Sequence, residues 1–151
     1  MSQALAAELA IHQLNARYAD AVHRRDADDW SALWAEDASW DFMGQTINGR
    51  ESILAMWLGA MEGFPVVYHQ SHAGIIEVDG DSAKCRWSIN EEIIDAQNQA
   101  LRFVGVYNDV CSRVGDRWLY QHRRFDVLYS GPGAFNPEGA LPYPEDIKGS
   151  V

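Results

Sequence analysis

The chain has 151 residues, 47% of them hydrophobic, enough for one domain with a substantial core. Twelve Lys and Arg against 22 Asp and Glu give a formal charge of -10, which repels polyanions and argues against a nucleic-acid partner. No apolar run approaches the roughly 18–20 residues of a membrane span, and no basic segment leads into an apolar signal core, so the expectation is a cytoplasmic protein with no membrane partner.

Leu5, Leu9, Ile11, Leu14, Tyr18, Ala21 and Val22 recur at helical spacing between residues 3 and 24 without Gly or Pro, predicting a first amphipathic helix. Asp26 then caps a shorter helix in which Trp30, Leu33 and Trp34 recur at i, i+3 and i+4 before Asp37. Residues 38–43 alternate polar with aromatic or apolar, the period of a half-buried strand, and Gly44 with the Asn48-Gly49 turn ends it. A third helix runs from residue 50 to 61, with Ile53, Met56, Trp57 and Ala60 on one face and Gly63 and Pro65 as its stop.

The remainder reads as strands over 66–78, 82–95, 100–114 and 117–130, separated by Asp79-Gly80-Asp81, Ala96-Gln97-Asn98-Gln99 and Gly115-Asp116. Strands of ~13 residues exceed the usual ~5–6, so the sheet must bend, with Gly74 and Gly105 as kink or bulge sites. The layout is α+β: three helices on the concave face of a strongly curved, mainly antiparallel sheet, with a cavity between the layers. Residues 1–130 make this domain, and 131–151 form a Gly/Pro-rich tail suited to covering the cavity mouth or a neighbouring subunit.

Tyr18 is in register with Ile11, Leu14 and Val22, so it faces inward with a hydroxyl that needs a partner. His23 lies ~140° around the helix from Tyr18, able to reach a cavity rim or to sit in solvent at the helix end, where an imidazolium is favoured. In Tyr68-His69-Gln70-Ser71-His72, alternation prevents both imidazoles from facing the cavity without a bulge; His72, nearer Gly74, is the expected inward one. Arg123 is the expected inward cation of the last strand, placed to bind a carbonyl or developing anion or else paired with Glu91 or Glu92.

Trp40, Phe42, Trp57, Tyr68, His69, Phe103 and Phe125 are the candidates to contact a small hydrophobic ring substrate. Cys85 and Cys111 lack metal-ligand spacing and read as reduced structural residues. There is no glycine-rich phosphate loop, Gly-x-Ser-x-Gly elbow or metal-ligand cluster, so the expected chemistry uses no cofactor and no metal.

Tyr18-x-x-x-x-His23, Trp34-Ala35-Glu36-Asp37-Ala38-Ser39-Trp40, Tyr68 to His72 and Ile76-Glu77-Val78-Asp79-Gly80-Asp81 together resemble the SnoaL-like families of the nuclear transport factor 2-like superfamily over about residues 5–130. The resemblance implies a cone-shaped α+β barrel. It is strongest to scytalone dehydratases, bile acid 7α-dehydratases and hexachlorocyclohexane dehydrochlorinases, which catalyse cofactor-free eliminations from ring substrates. Their pockets hold a Tyr or Lys in the first helix, an Asp near its end and a His on the strand after the third helix. Tyr18 then takes the first position, His72 the last, and Arg123 the dehydrochlorinase's strand Arg, while His23 stands where the acid belongs, with Asp20 or Asp41 as substitutes.

The resulting expectation is a cofactor-independent lyase. His72 removes a proton, Tyr18 assists loss of hydroxide as water, and Arg123 or a buried amide steadies the enolate. An isomerase or polyketide cyclase in the same pocket, or a non-catalytic binding or assembly module, are the alternatives. A homo-oligomer, dimer or trimer, is expected from the resembled families and from sheet surface that needs cover.

Overall fold

The computed structural model describes residues 1–135, 137–149 and 151. Helix α1, Gln3–Arg24, begins where the Ser2 hydroxyl accepts from the Leu5 N–H (3.2 Å) and buries a stripe that includes Ile11, Leu14, Tyr18 and Val22. Arg25, in the left-handed region (φ 55), turns the chain out of it. The Arg25 guanidinium donates to the carbonyls of Met61 (3.0 Å) and Phe64, tying the end of α1 to the end of the third helix. Helix α2, Ala27–Ser31, is a single capped turn carrying Trp30, whose ring stacks at 4.6 Å on Trp57 of α3, Arg50–Glu62.

The expected extension of α2 through Leu33 and Trp34 gives way to a strand, because β1 is Trp34–Phe42. The Leu33 carbonyl accepts from the Tyr120 N–H (2.9 Å), and Trp34 pairs in parallel with Tyr120. This pairing outcompetes the weak helical preference of two short-spaced apolar residues. Met43 (φ 52) and Gly44 (φ 80) then make a turn into β2, Gln45–Asn48, a strand the sequence pattern did not mark.

The expected single strand over 66–78 is two, β3 Val66–Ser71 and β4 Ile75–Asp79, both antiparallel to β5, Ser82–Ile94. Gly74 sits in the break for a steric reason: a Cβ there would lie 2.3 Å from the Trp87 ring and 2.6 Å from the Arg86 carbonyl. Strands β6, Ala100–Val114, and β7, Arg117–Pro132, complete a mixed sheet in the order β2-β1-β7-β6-β5-β3, with β4 beside β5 and β1 parallel to β7. Register shifts at Val104/Gly105 and Val110/Cys111 bend β6 and β7 together. The fold is α+β, with three helices packed on a curved sheet that stays open.

The core is continuous from α1 to the sheet and includes Trp30, Trp34, Trp87 and the unbridged Cys85 and Cys111, whose sulfurs are 4.0 Å apart. The C-terminal tail takes a course the sequence did not indicate, crossing the outer face of the sheet instead of the cavity mouth. Arg124 holds Asp146 (2.5 and 3.1 Å), and Arg86 donates to the carbonyls of Ile147 (2.6 Å) and Gly149 (3.0 Å). Both arginines alternate with inward-facing neighbours, so they point away from the helices. Among the described residues, no helix is long and apolar enough to cross a membrane.

Gly105 lies at the first register shift, where a Cβ would meet the Phe125 ring at 2.2 Å and the Asp126 carbonyl at 2.7 Å. Gly105→Ala is therefore expected to cost about 1–3 kcal/mol, measured by urea unfolding, and a variant as stable as the parent would show that the bend does not need this approach.

Candidate active site

A cavity of about 410 Å³ opens between α3, the inner face of α1 and the sheet. Its walls are aromatic and aliphatic: Trp40 and Phe42 from β1, Met56 and Trp57 from α3, Phe103 from β6 and Phe125 from β7. The Phe42 and Phe125 rings are 5.7 Å apart and tilted by only 17°. Tyr18, Tyr107 and Glu91 bring polar atoms to this wall, and Glu91 is the one formally charged side chain among the described residues that line it. A second hollow of about 450 Å³, between α1 and the β6–β7 turn, is an open groove of surface arginines and acids such as Arg17, Asp20 and Arg117.

Strand alternation turns His69 inward, where it is 2% exposed, and leaves Tyr68 outside at 59%. His69 stands directly across from Glu91 in the β3–β5 register, its Nδ1 2.8 Å from the Glu91 Oε1. With Glu91 ionised, Nδ1 carries the proton and Nε2 is left as a lone pair, buried without a hydrogen-bond partner. The ring is 5.3 Å from that of Tyr18 and 6.1 Å from that of Tyr107. His69 abuts the wall through these neighbours and is not itself part of it.

The structure corrects the expectation for His72. The chain leaves β3 after Ser71, and His72 is exposed, with its N–H bonded to the Ser88 carbonyl (2.9 Å). No bulge brings it back to the inner row, so His72 takes no part in the cavity. His23 is also exposed and off the wall, and its Nε2 accepts from the main-chain N–H of His69 (2.9 Å). As β3 is an edge strand, that N–H points away from β5, and His23 closes the open edge without forming a dyad with an imidazole. Asp20 and Asp41 are engaged elsewhere, with Arg24 (2.9 Å) and His122 (3.3 Å).

Arg123 faces inward but stops beneath the wall, 0% exposed, with Nε and Nη2 each 2.8 Å from the Asp109 carboxylate. Its guanidinium carbon lies over the rings of Tyr107 (3.8 Å), Tyr120 (4.0 Å) and Tyr18 (4.5 Å). Burial works against the charge, but Asp109 together with the neighbouring Tyr120 and Tyr18 outweighs it, so the pKa stands above the usual arginine value. The partners named from the sequence, Glu91 and Glu92, serve His69 and Arg102 instead.

The rings of Tyr18 and Tyr107 meet edge to face, their centroids 6.1 Å apart. Burial raises the pKa of both, with Arg123 pulling that of Tyr18 part of the way back, and burial likewise holds Tyr120 well above the ordinary phenol. Both wall phenols therefore stay protonated near neutrality and act as donors. Glu91 was named from the sequence only as a partner for Arg123, and Tyr107 was not singled out. The available signal was the inward row of β5, Ala83, Cys85, Trp87, Ile89, Glu91 and Ile93, in which one acid interrupts an apolar series. Among the described residues, no three His, Cys, Asp or Glu side chains gather as metal ligands.

For Tyr18, Tyr107 and Tyr120 the folded-state pKa lies above the unfolded value of about 10, so their contribution to stability is complete below that pH and is lost as pH rises through the folded-state value. Unfolding free energy is expected to fall steadily above about pH 10, with these phenols ionising only as the protein unfolds; phenolate absorbance that develops fully while the near-ultraviolet dichroism stays native would contradict it.

A model of the SnoaL-like domain matches residues 3–124. No curated protein matches the sequence. Among solved structures, a hexachlorocyclohexane dehydrochlorinase, LinA type 2, aligns with TM-score 0.80 at 22% identity over 89% of this chain and 96% of that one. A protein assigned as a scytalone dehydratase from Novosphingobium aromaticivorans aligns with TM-score 0.80 at 17% identity, covering 97% of each chain. A Mycobacterium tuberculosis protein of unknown function aligns with TM-score 0.72 at 26% identity over 79% of this chain and 70% of that one. At these identities the neighbours establish the fold, and the domain match establishes the lineage: the chain belongs to the SnoaL-like family of the nuclear transport factor 2-like superfamily.

Proposed function

We propose that the cavity is the substrate site of a cofactor-independent lyase that removes water from a small, mainly apolar ring compound. The observation that carries this reading is one apolar cavity whose wall holds a carboxylate, backed by a buried imidazole, together with two adjacent phenols. The family membership and the elimination chemistry named for two structural neighbours support it.

The carboxylate is the member of the Glu91–His69 pair that reaches the wall, so it is the base. Oε1 is held by His69, and Oε2 takes a proton from a ring carbon next to a carbonyl. The electrons left behind form the new carbon–carbon double bond as the neighbouring carbon–oxygen bond breaks, and the Tyr18 O–H protonates the departing hydroxyl, which leaves as water. The Tyr18 phenolate formed is steadied by the Tyr107 hydroxyl and by Arg123, 4.5 Å from the Tyr18 ring. Proton exchange with solvent restores both groups. General acid and base steps of this kind contribute about 10²–10⁴ each.

With hydroxylated cyclic ketones as substrates, Glu91→Gln and Tyr18→Phe are each expected to lower turnover at least about hundredfold, whereas His72→Ala on the outer surface leaves it unchanged. The product should be lighter by one water. Full turnover in Glu91→Gln would remove the carboxylate from the reaction, and a product of unaltered mass would make the protein an isomerase acting through the same groups.

A further inference from the structure

We infer that Glu91 also sets the charge of the ligand: the cavity takes an uncharged ring compound and rejects the carboxylate of the same size. The inference rests on the reading of this cavity as the substrate site.

Three features of the site combine. Glu91 is the one formally charged side chain among the described wall residues, is 22% exposed, and has one oxygen committed to His69 while the other has no hydrogen-bond partner among the described residues. Among the described residues, no lysine or arginine stands on that wall to receive an anion. Of the guanidiniums behind the wall, Arg123 is fully buried with its charge matched by Asp109 through two 2.8 Å hydrogen bonds, and Arg25 is engaged by the carbonyls of Met61 and Phe64.

An anionic ligand would lose its hydration on entering and meet a carboxylate with no counter-charge beside it, the arrangement in which like charges and burial both oppose ionisation. A neutral ring loses little hydration and buries its surface against Phe42, Trp57, Phe103 and Phe125.

The inference is tested by calorimetric titration of the whole protein at neutral pH with naphthol and naphthoate, two probes of similar size. Naphthol is expected to bind, with naphthoate at least about tenfold weaker. In Glu91→Gln, which keeps an oxygen for the His69 Nδ1–H and removes the charge, the naphthoate penalty should shrink at least about fivefold while naphthol changes less than about threefold.

Naphthoate binding as tightly as naphthol to the wild-type protein would overturn the inference without any variant, and so would a naphthoate penalty unchanged in Glu91→Gln. If neither binds, the cavity is not the ligand site and both readings fall together. If naphthol binds with the expected selectivity but hydroxylated ketones are not turned over, the charge filter stands and the lyase reading alone fails.

Discussion

The ion pair between Arg123 and Asp109 is the constraint around which the site is arranged. A guanidinium and a carboxylate removed from water must be matched closely, since an unmatched buried charge costs several kcal/mol, about 3–5 when one partner is lost. The match is made across adjacent strands, where Asp109 of β6 faces Arg123 of β7, and it brings rings from three elements onto the cation: Tyr18 of α1, Tyr107 of β6 and Tyr120 of β7. Tyr18 is the only member of that set supplied by a helix. Its seat against Arg123 fixes how α1 lies on the sheet, and that in turn places a phenol on the cavity wall.

The same pair removes a positive charge from the cavity without removing its influence. Arg123 is shielded from ligand by the tyrosine rings, yet it pulls down a Tyr18 pKa that burial has raised. Separating charge from contact in this way lets a phenol remain a neutral donor while its anion is made less costly. Beside Tyr18, Glu91 and His69 face one another across β3 and β5, and the edge strand that carries His69 is secured from outside by His23. A histidine that reads as a catalytic candidate from its spacing thus works through a main-chain N–H.

Much of the architecture was legible because it rests on local periodicity. The apolar stripe of α1, the face of α3, and the long runs of β5, β6 and β7 with their turns follow from side-chain spacing, and Gly74 and Gly105 mark real bends. The failures occurred where pairing partners decide the outcome. Trp34 satisfies a helical spacing but joins a parallel strand pair with Tyr120, and residues 45–48 become a strand only because β1 lies beside them. The tail was read from composition, which says that it is irregular and nothing about which face of the sheet it crosses.

By itself the sequence determined that this is an acidic α+β domain with an aromatic interior, and that Tyr18 and Arg123 point into it, because alternation and helical period act on neighbours along the chain. Which imidazole faces inward, which carboxylate meets it, and whether Arg123 reaches ligand were decided by tertiary structure. Those outcomes depend on where β3 stops, on the register of β3 against β5 and of β6 against β7, and on the rings stacked over the guanidinium. Each is a contact between residues distant in sequence, so no local pattern encodes it.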